Sequence, residues 1–178
     1  MTEYPAFLDV HPGPPGGNGP LPSEVVTGAW MVQCGGALRA SAIGSCMAVG
    51  IADIKNKVGG LAHILLPGVA PAGRKDRTHL YAGEVLPALV DQIRGLGGER
   101  MVAVIAGGGN VLRRPDDTIC GANIRSAREV LEKLGVVILA SSVGGFERRG
   151  FRMDLERVAF YCTTGCGVEE LLWCNPRE

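Results

Sequence analysis

The sequence has no surplus of either charge, with 18 lysines and arginines against 18 aspartates and glutamates. No overall basic field exists to draw the chain to nucleic acid or to an anionic membrane, so bulk charge does not choose its partner. Long apolar runs are missing as well. None approaches the roughly 20 residues that a spanning helix needs, and Met1-Thr2-Glu3-Tyr4 has neither the basic start nor the apolar stretch of a signal peptide. The expectation is a cytoplasmic protein with no membrane insertion and no nucleic-acid partner. The lysine followed by serine or threonine that completes a phosphate loop is absent, as is a full dinucleotide fingerprint.

What is present is enough for one substantial core. At 178 residues and 46% hydrophobic, the chain supports one domain and not two comfortable ones. Residues 1–22 are expected to form an arm and 23–178 a single domain. The arm is dense in proline and glycine from His11 onward and has little to bury. Six cysteines, Cys34, Cys46, Cys120, Cys162, Cys166 and Cys174, would make disulfides in an exported protein. In a large apolar chain without export signals they read as free thiols. Cys162, Cys166 and Cys174 fit zinc spacings poorly and lack a fourth ligand, so no metal and no cofactor are expected.

The pattern of elements is mixed. Val25 to Gln33 and Ala37 to Ile43 read as strands broken by Gly35-Gly36, followed by Met47 to Asp53 and Leu61 to Leu66. Pro67 to Thr78 reads as an exposed loop. Leu80, Val85, Leu86, Leu89, Val90, Ile93 and Leu96 recur at helical intervals, with Pro87 demanding a kink or a late start. Met101 to Ala106 is a buried strand ending in Gly107-Gly108-Gly109. A second helix runs from Asn123 to Leu134, then a strand from Val136 to Ala140, and a final hairpin pairs Phe151–Leu155 with Val158–Cys162. Sheet flanked by two helices predicts a layered α/β sandwich, largely antiparallel.

Within that frame one pair of residues carries chemistry. Ile43-Gly44-Ser45-Cys46 offers a thiol and Gly60-Leu61-Ala62-His63 an imidazole, seventeen residues apart. A hairpin turn centred between Ile54 and Lys55 pairs Asp53 with Asn56, and the same register pairs Cys46 with His63, alpha carbons roughly 4.5 to 5.5 Å apart. A one-residue slip in pairing would put them on opposite faces. A cysteine attacks as thiolate, and a neighbouring histidine both takes its proton and returns one to the leaving group. An amide needs that second role, because its nitrogen cannot leave as an anion. Gly44-Ser45 suits a close backbone approach in which amide hydrogens stabilise an oxyanion.

Ile43 to Val49 and Gly59 to Gly68 resemble the two signature segments of the CheD family, the bacterial chemoreceptor glutamine deamidases. Tyr81, Ile105 to Gly108, Asn123 opening the second helix, Gly135, Gly144-Gly145 and Arg149 follow in that family's order, so the likeness covers about residues 25 to 165. It implies hydrolysis of selected glutamine side chains of chemoreceptor cytoplasmic regions to glutamate, releasing ammonia without a cofactor. Cys46 would be the nucleophile and His63 the general acid and base. It also implies a layered sandwich like that of the toxin deamidases of the cytotoxic necrotizing factor type, and a phosphatase partner of the CheC type.

The chain departs from the family at three places. Ala40 stands where a catalytic threonine is usual, and Ser41 would replace it only if a bulge re-aimed its side chain. Ala122 replaces an arginine, and Ser141-Ser142 replace an acidic position before the paired glycines. Two other functions compete. The first is a weakly active or inactive module of the same fold that docks a receptor or the phosphatase. The second takes Val104 to Val111 as a glycine-rich cradle for phosphate. Arg113-Arg114 and Arg148-Arg149 are candidates for acidic surfaces or plain solvated faces, and His11 and His79 read as solvated.

Overall fold

The computed structural model describes residues 21–176. The arm expected over 1–22 therefore lies, through residue 20, outside the described residues, as does His11. Among the described residues, ten strands and two α-helices form three layers. One sheet is ordered β2(Trp30–Cys34), β5(Val58–Ile64), β4(Met47–Asp53), β6(Met101–Gly107), β7(Val137–Val143). The other is ordered β1(Ser23–Glu24), β3(Ala37–Ile43), β8(Arg149–Asp154), β9(Ala159–Thr164), β10(Glu169–Cys174). Only β1 with β3 and β6 with β7 run parallel. Helices α1(Ala82–Gly95) and α2(Ile119–Lys133) cover one face of the first sheet, and the second sheet covers the other. This is the expected sandwich of mixed, largely antiparallel sheet with two main helices.

The central strands explain the layering. All seven residues of β4 and all seven of β5 are buried, as continuous apolar runs require when both faces are covered. Met47, Val49, Ile51, Ala62 and Ile64 pack against the helices, while Ala48, Ala52 and Leu61 face the second sheet. Gly50 has no side chain because the Phe151 and Phe160 rings fill the space, each 2.9 Å from where a Cβ would stand. Both rings are fully buried. Truncating either would cost about 3–5 kcal/mol.

Several boundaries differ from expectation. Residues 25–29 are not strand, since Gly28 takes φ +79 there and breaks the run. The segment 67–78 ends in a 3-10 turn, Lys75–Leu80. Pro87 is absorbed within α1. Helix α2 begins four residues before Asn123, and Asp117, one residue before the N-cap Thr118, accepts the Cys120 N–H of its first turn on Oδ2 at 3.2 Å. Strand β10 was not anticipated; its residues are mostly exposed and do not alternate.

The β4–β5 register is the consequential correction. Ala52 pairs with Gly59 and Ala48 with His63, so the turn is centred between Lys55 and Asn56, one residue later than expected, and Cys46 is not directly opposite His63. The cause is Asp53. Its Oδ1 accepts from the amides of Lys55 and Asn56, both at 2.7 Å, which tightens the chain early, and Lys57 takes φ +52 to close it late. The slip is two positions along the facing strand and so preserves the face. Cys46, two residues before Ala48 and just outside β4, stays on His63's side as a diagonal neighbour, a relation that places alpha carbons roughly 7 to 8 Å apart.

Asp53 is fully buried, and its other oxygen accepts from Glu99 and Arg100 amides at 2.7 Å. Burial alone would raise its pKa, but the four amides overcome it and hold the carboxyl below the usual range. A depressed carboxyl contributes stability above its unfolded value near 3.9 that is lost as pH falls through the folded value. Asp53→Asn should therefore destabilise by roughly 2–4 kcal/mol at pH 7. Urea unfolding of wild type should weaken steeply below about pH 4, and the variant should lose much of that slope.

Candidate active site

The turn joining β3 to β4 holds the thiol, and all three of its carbonyls are tied down. Gly44 O accepts from Gly109 N, Ser45 O from Asn123 Nδ2, and Cys46 O from Gly108 N, each at 2.8 Å. Gly107 and Gly108 take φ +119 and +62, and a Cβ at Gly107 would collide with the Cys46 carbonyl. Glycine is required there by both conformation and space. The glycine run after β6 thus engages its amides on the cysteine turn, with Asn110 N bonded to Gly145 O at 2.9 Å. These are the amides that a phosphate cradle would need.

With the carbonyls anchored outward, the amides of the turn are left over. Among the described residues, none outside the turn accepts a hydrogen bond from Gly44, Ser45 or Cys46 N–H. Cys46 itself is half-buried. Burial pushes its thiol up from the ordinary value, while its own amide and the Ser45 hydroxyl favour the thiolate and only partly offset the shift. At neutral pH the resting group is a thiol.

His63 is 3% exposed and is held on three sides by the segment before β2. Its amide donates to Ala29 O at 2.9 Å and its carbonyl accepts from Gly28 N at 2.8 Å. Its Nδ1 lies 3.3 Å from Val25 O. A carbonyl only accepts, so Nδ1 carries the proton and Nε2 keeps a lone pair. The Thr27 hydroxyl lies 3.5 Å from Nε2. Burial lowers the ring's proton affinity; the Val25 hydrogen bond and the charge of Glu24 pull it back in part. The histidine is neutral at pH 7 with Nε2 as its free base.

Other expected residues fall differently. Ala40 is fully buried opposite Phe151. A bulge does occur between Ala40 and Ile43, with Ala42 at φ +55, but it keeps Ala40 and Ile43 both in the core and leaves Ser41 and Ala42 outside. Ser41 gives both its N–H, at 2.9 Å, and its hydroxyl to the Glu24 carboxylate, so Ser41 does not replace the missing threonine. Arg149 is no solvated face: it is 8% exposed, donating to Ser142 Oγ at 3.0 Å and Glu147 O at 3.3 Å. Arg113 lies over the Phe146 ring at 4.9 Å. His79 is half-buried beside Gly28 rather than solvated. Cys120 is buried in the first turn of α2, and burial with the Asp117 carboxylate pushes its thiol up to about 11. Cys162 is buried, whereas Cys166 and Cys174 are exposed.

Sequence reasoning missed the residues that hold the pair. Val25 acts through its backbone, which no side-chain motif reveals, and Thr27 lies 36 positions from His63. Asn123 was noticed only as a family position; Nδ2 donates to Ser45 O and, at 3.1 Å, to Leu65 O, two residues beyond His63.

Residues 65–164 match the family model described as CheD chemotactic sensory transduction. A curated relative from Chlorobium luteolum, "Probable chemoreceptor glutamine deamidase CheD", is 37% identical over 141 residues, 78% of this chain and 70% of that protein. The chain belongs to the CheD family. A "Chemoreceptor glutamine deamidase CheD" from Thermotoga maritima is 32% identical over 116 residues, 64% of this chain and 73% of that protein. A "Probable chemoreceptor glutamine deamidase CheD 1" from Methanosarcina acetivorans is 35% identical over the same length. The CheD model match begins at Leu65, downstream of both Cys46 and His63.

The raised thiol sets a pH signature. Alkylation of Cys46 by iodoacetamide, followed by peptide mass spectrometry, should climb continuously from pH 6 through pH 9, without the low-pH plateau of a preformed thiolate. Exposed Cys34, Cys166 and Cys174 serve as internal references, and Cys120 should lag behind Cys46 throughout.

Proposed function

We propose that this chain is a cysteine-dependent protein glutamine deamidase acting on chemoreceptor cytoplasmic regions in chemotaxis adaptation, a cytoplasmic role. The observation that carries this reading is the His63 ring: Nδ1–H fixed on Val25 O, leaving Nε2 as a neutral base on the face shared with Cys46. The relatives' names support the substrate. The family resemblance adds a CheC-type phosphatase as a second partner.

The steps follow from the groups present. Nε2 takes the Cys46 proton as Sγ bonds to the glutamine Cδ, and the carbonyl electrons move onto oxygen. The unpartnered amides of the Gly44–Cys46 turn stabilise that oxyanion, and the adjoining low-dielectric strands strengthen the effect. On collapse the C–N bond breaks and Nε2–H supplies the proton with which ammonia leaves. Water then adds to the thioester, giving its proton to Nε2, and the C–S bond breaks as the thiol is restored and glutamate is released. The Val25 carbonyl stabilises the imidazolium formed in each half, as does nearby Glu24.

The rival reading, a docking module with little activity, rests on buried Ala40 in place of the usual threonine. Thr27 argues against it, since a hydroxyl still reaches the imidazole, from a different segment. Incubation of the protein with receptor cytoplasmic fragments, read by mass spectrometry, should give a one-dalton gain at specific glutamines. Cys46→Ala should abolish it, and His63→Ala should lower the rate by roughly 10²- to 10⁴-fold. Thr27→Val should lower kcat a few-fold with little change in KM. No gain with wild type across several receptors, or equal gain with Cys46→Ala, would refute the enzyme.

A further inference from the structure

Asn123 is 1% exposed and its amide is oriented without ambiguity. Both Nδ2 hydrogens are taken by carbonyls, Ser45 O at 2.8 Å and Leu65 O at 3.1 Å, and a flipped amide would press oxygen against oxygen. The arrangement leaves Oδ1 buried with no donor, the one such side-chain atom among the described residues. Native structures rarely leave a buried acceptor unmatched, and the exceptions gather where a site demands them.

The Ser45 carbonyl belongs to the same planar peptide as the Cys46 N–H. In a trans peptide the two point in opposite directions, so fixing one fixes the other. Holding Ser45 O on Asn123 turns the Cys46 N–H away from α2, next to its own sulfur, where this amide already favours the thiolate. The second bond ties the same amide group to the end of β5, the strand that carries His63. Gly108 and Gly109 anchor the neighbouring carbonyls through backbone, so Asn123 is the side chain among the three anchors.

Resting on the deamidase reading above, we infer that Asn123 is a positioning residue that aims the Cys46 amide at the developing oxyanion. It acts through the peptide, not by touching substrate. Its removal should therefore harm the step that forms an oxyanion and spare one that does not. Alkylation by iodoacetamide is a direct displacement at carbon, needs thiol and base, and develops no oxyanion.

The test compares wild type, Asn123→Ala and Asn123→Leu, which keeps most of the packing volume but loses the donor should the alanine variant fail to fold. The full chain is assayed on receptor fragments and, separately, for site-resolved alkylation of Cys46 across pH. We expect kcat for deamidation to fall roughly 10- to 10²-fold, KM to stay within about twofold, and Cys46 alkylation to lose no more than about a few-fold, the share of thiolate stabilisation that this amide supplies. Wild-type deamidation in both variants would overturn the inference while leaving the enzyme reading intact. Alkylation lost in step with deamidation in both variants would also overturn it, showing a merely structural role. Absence of Cys46-dependent deamidation by wild type would overturn both.

Discussion

The site depends on a short turn whose carbonyls are all engaged from behind. Peptide planarity then points each amide away from its anchored carbonyl, and the Cys46 amide lies beside the sulfur. Two of the anchors come from the glycine run after β6 and one from α2, so two separate elements converge on Gly44–Cys46. A side chain at Gly107 would meet the Cys46 carbonyl and end the arrangement. The run that resembled a phosphate cradle is thus the backing of the Cys46 turn, and its amides have a different occupant.

The histidine is organised on the same principle, by backbone. Residues 25–29 bond its amide and its carbonyl and place the Val25 oxygen on its ring, which sets the tautomer. Burial raises the thiol and lowers the imidazole, so both members rest uncharged. A neutral pair suits a general-base attack in which charge appears only during the reaction, next to dipoles already oriented to receive it. Preorganisation of this kind needs rigid surroundings, and buried β4 and β5, gripped between helices and the two phenylalanine rings, supply them.

Much of this was legible in the residues. Continuous apolar runs marked the central strands, helical spacing marked α1 and α2, and the thiol and imidazole were correctly expected on one face. The register was not legible, because it turned on Asp53 collecting amides from Lys55, Asn56, Glu99 and Arg100, two of them more than 40 positions away. The slip preserved the face because pleating repeats every two residues. The roles of Thr27, Val25 and Asn123 in holding the pair were not legible for a common reason: each acts through a long-range contact, two of them involving main chain, which leaves no trace in spacing. Ala40 looked like a lost hydroxyl, but another segment brings one to the imidazole.

His63 keeps Nε2 unprotonated on the face it shares with Cys46 while Nδ1–H is held by Val25. Nitrogen-15 NMR of the His63 ring at pH 7 tests it most directly, in wild type and in Cys46→Ala. The expected spectrum has a protonated, hydrogen-bonded Nδ1 and an unprotonated Nε2 whose resonance moves when the thiol is removed. A proton on Nε2, or an Nε2 signal indifferent to the loss of Cys46, would contradict it.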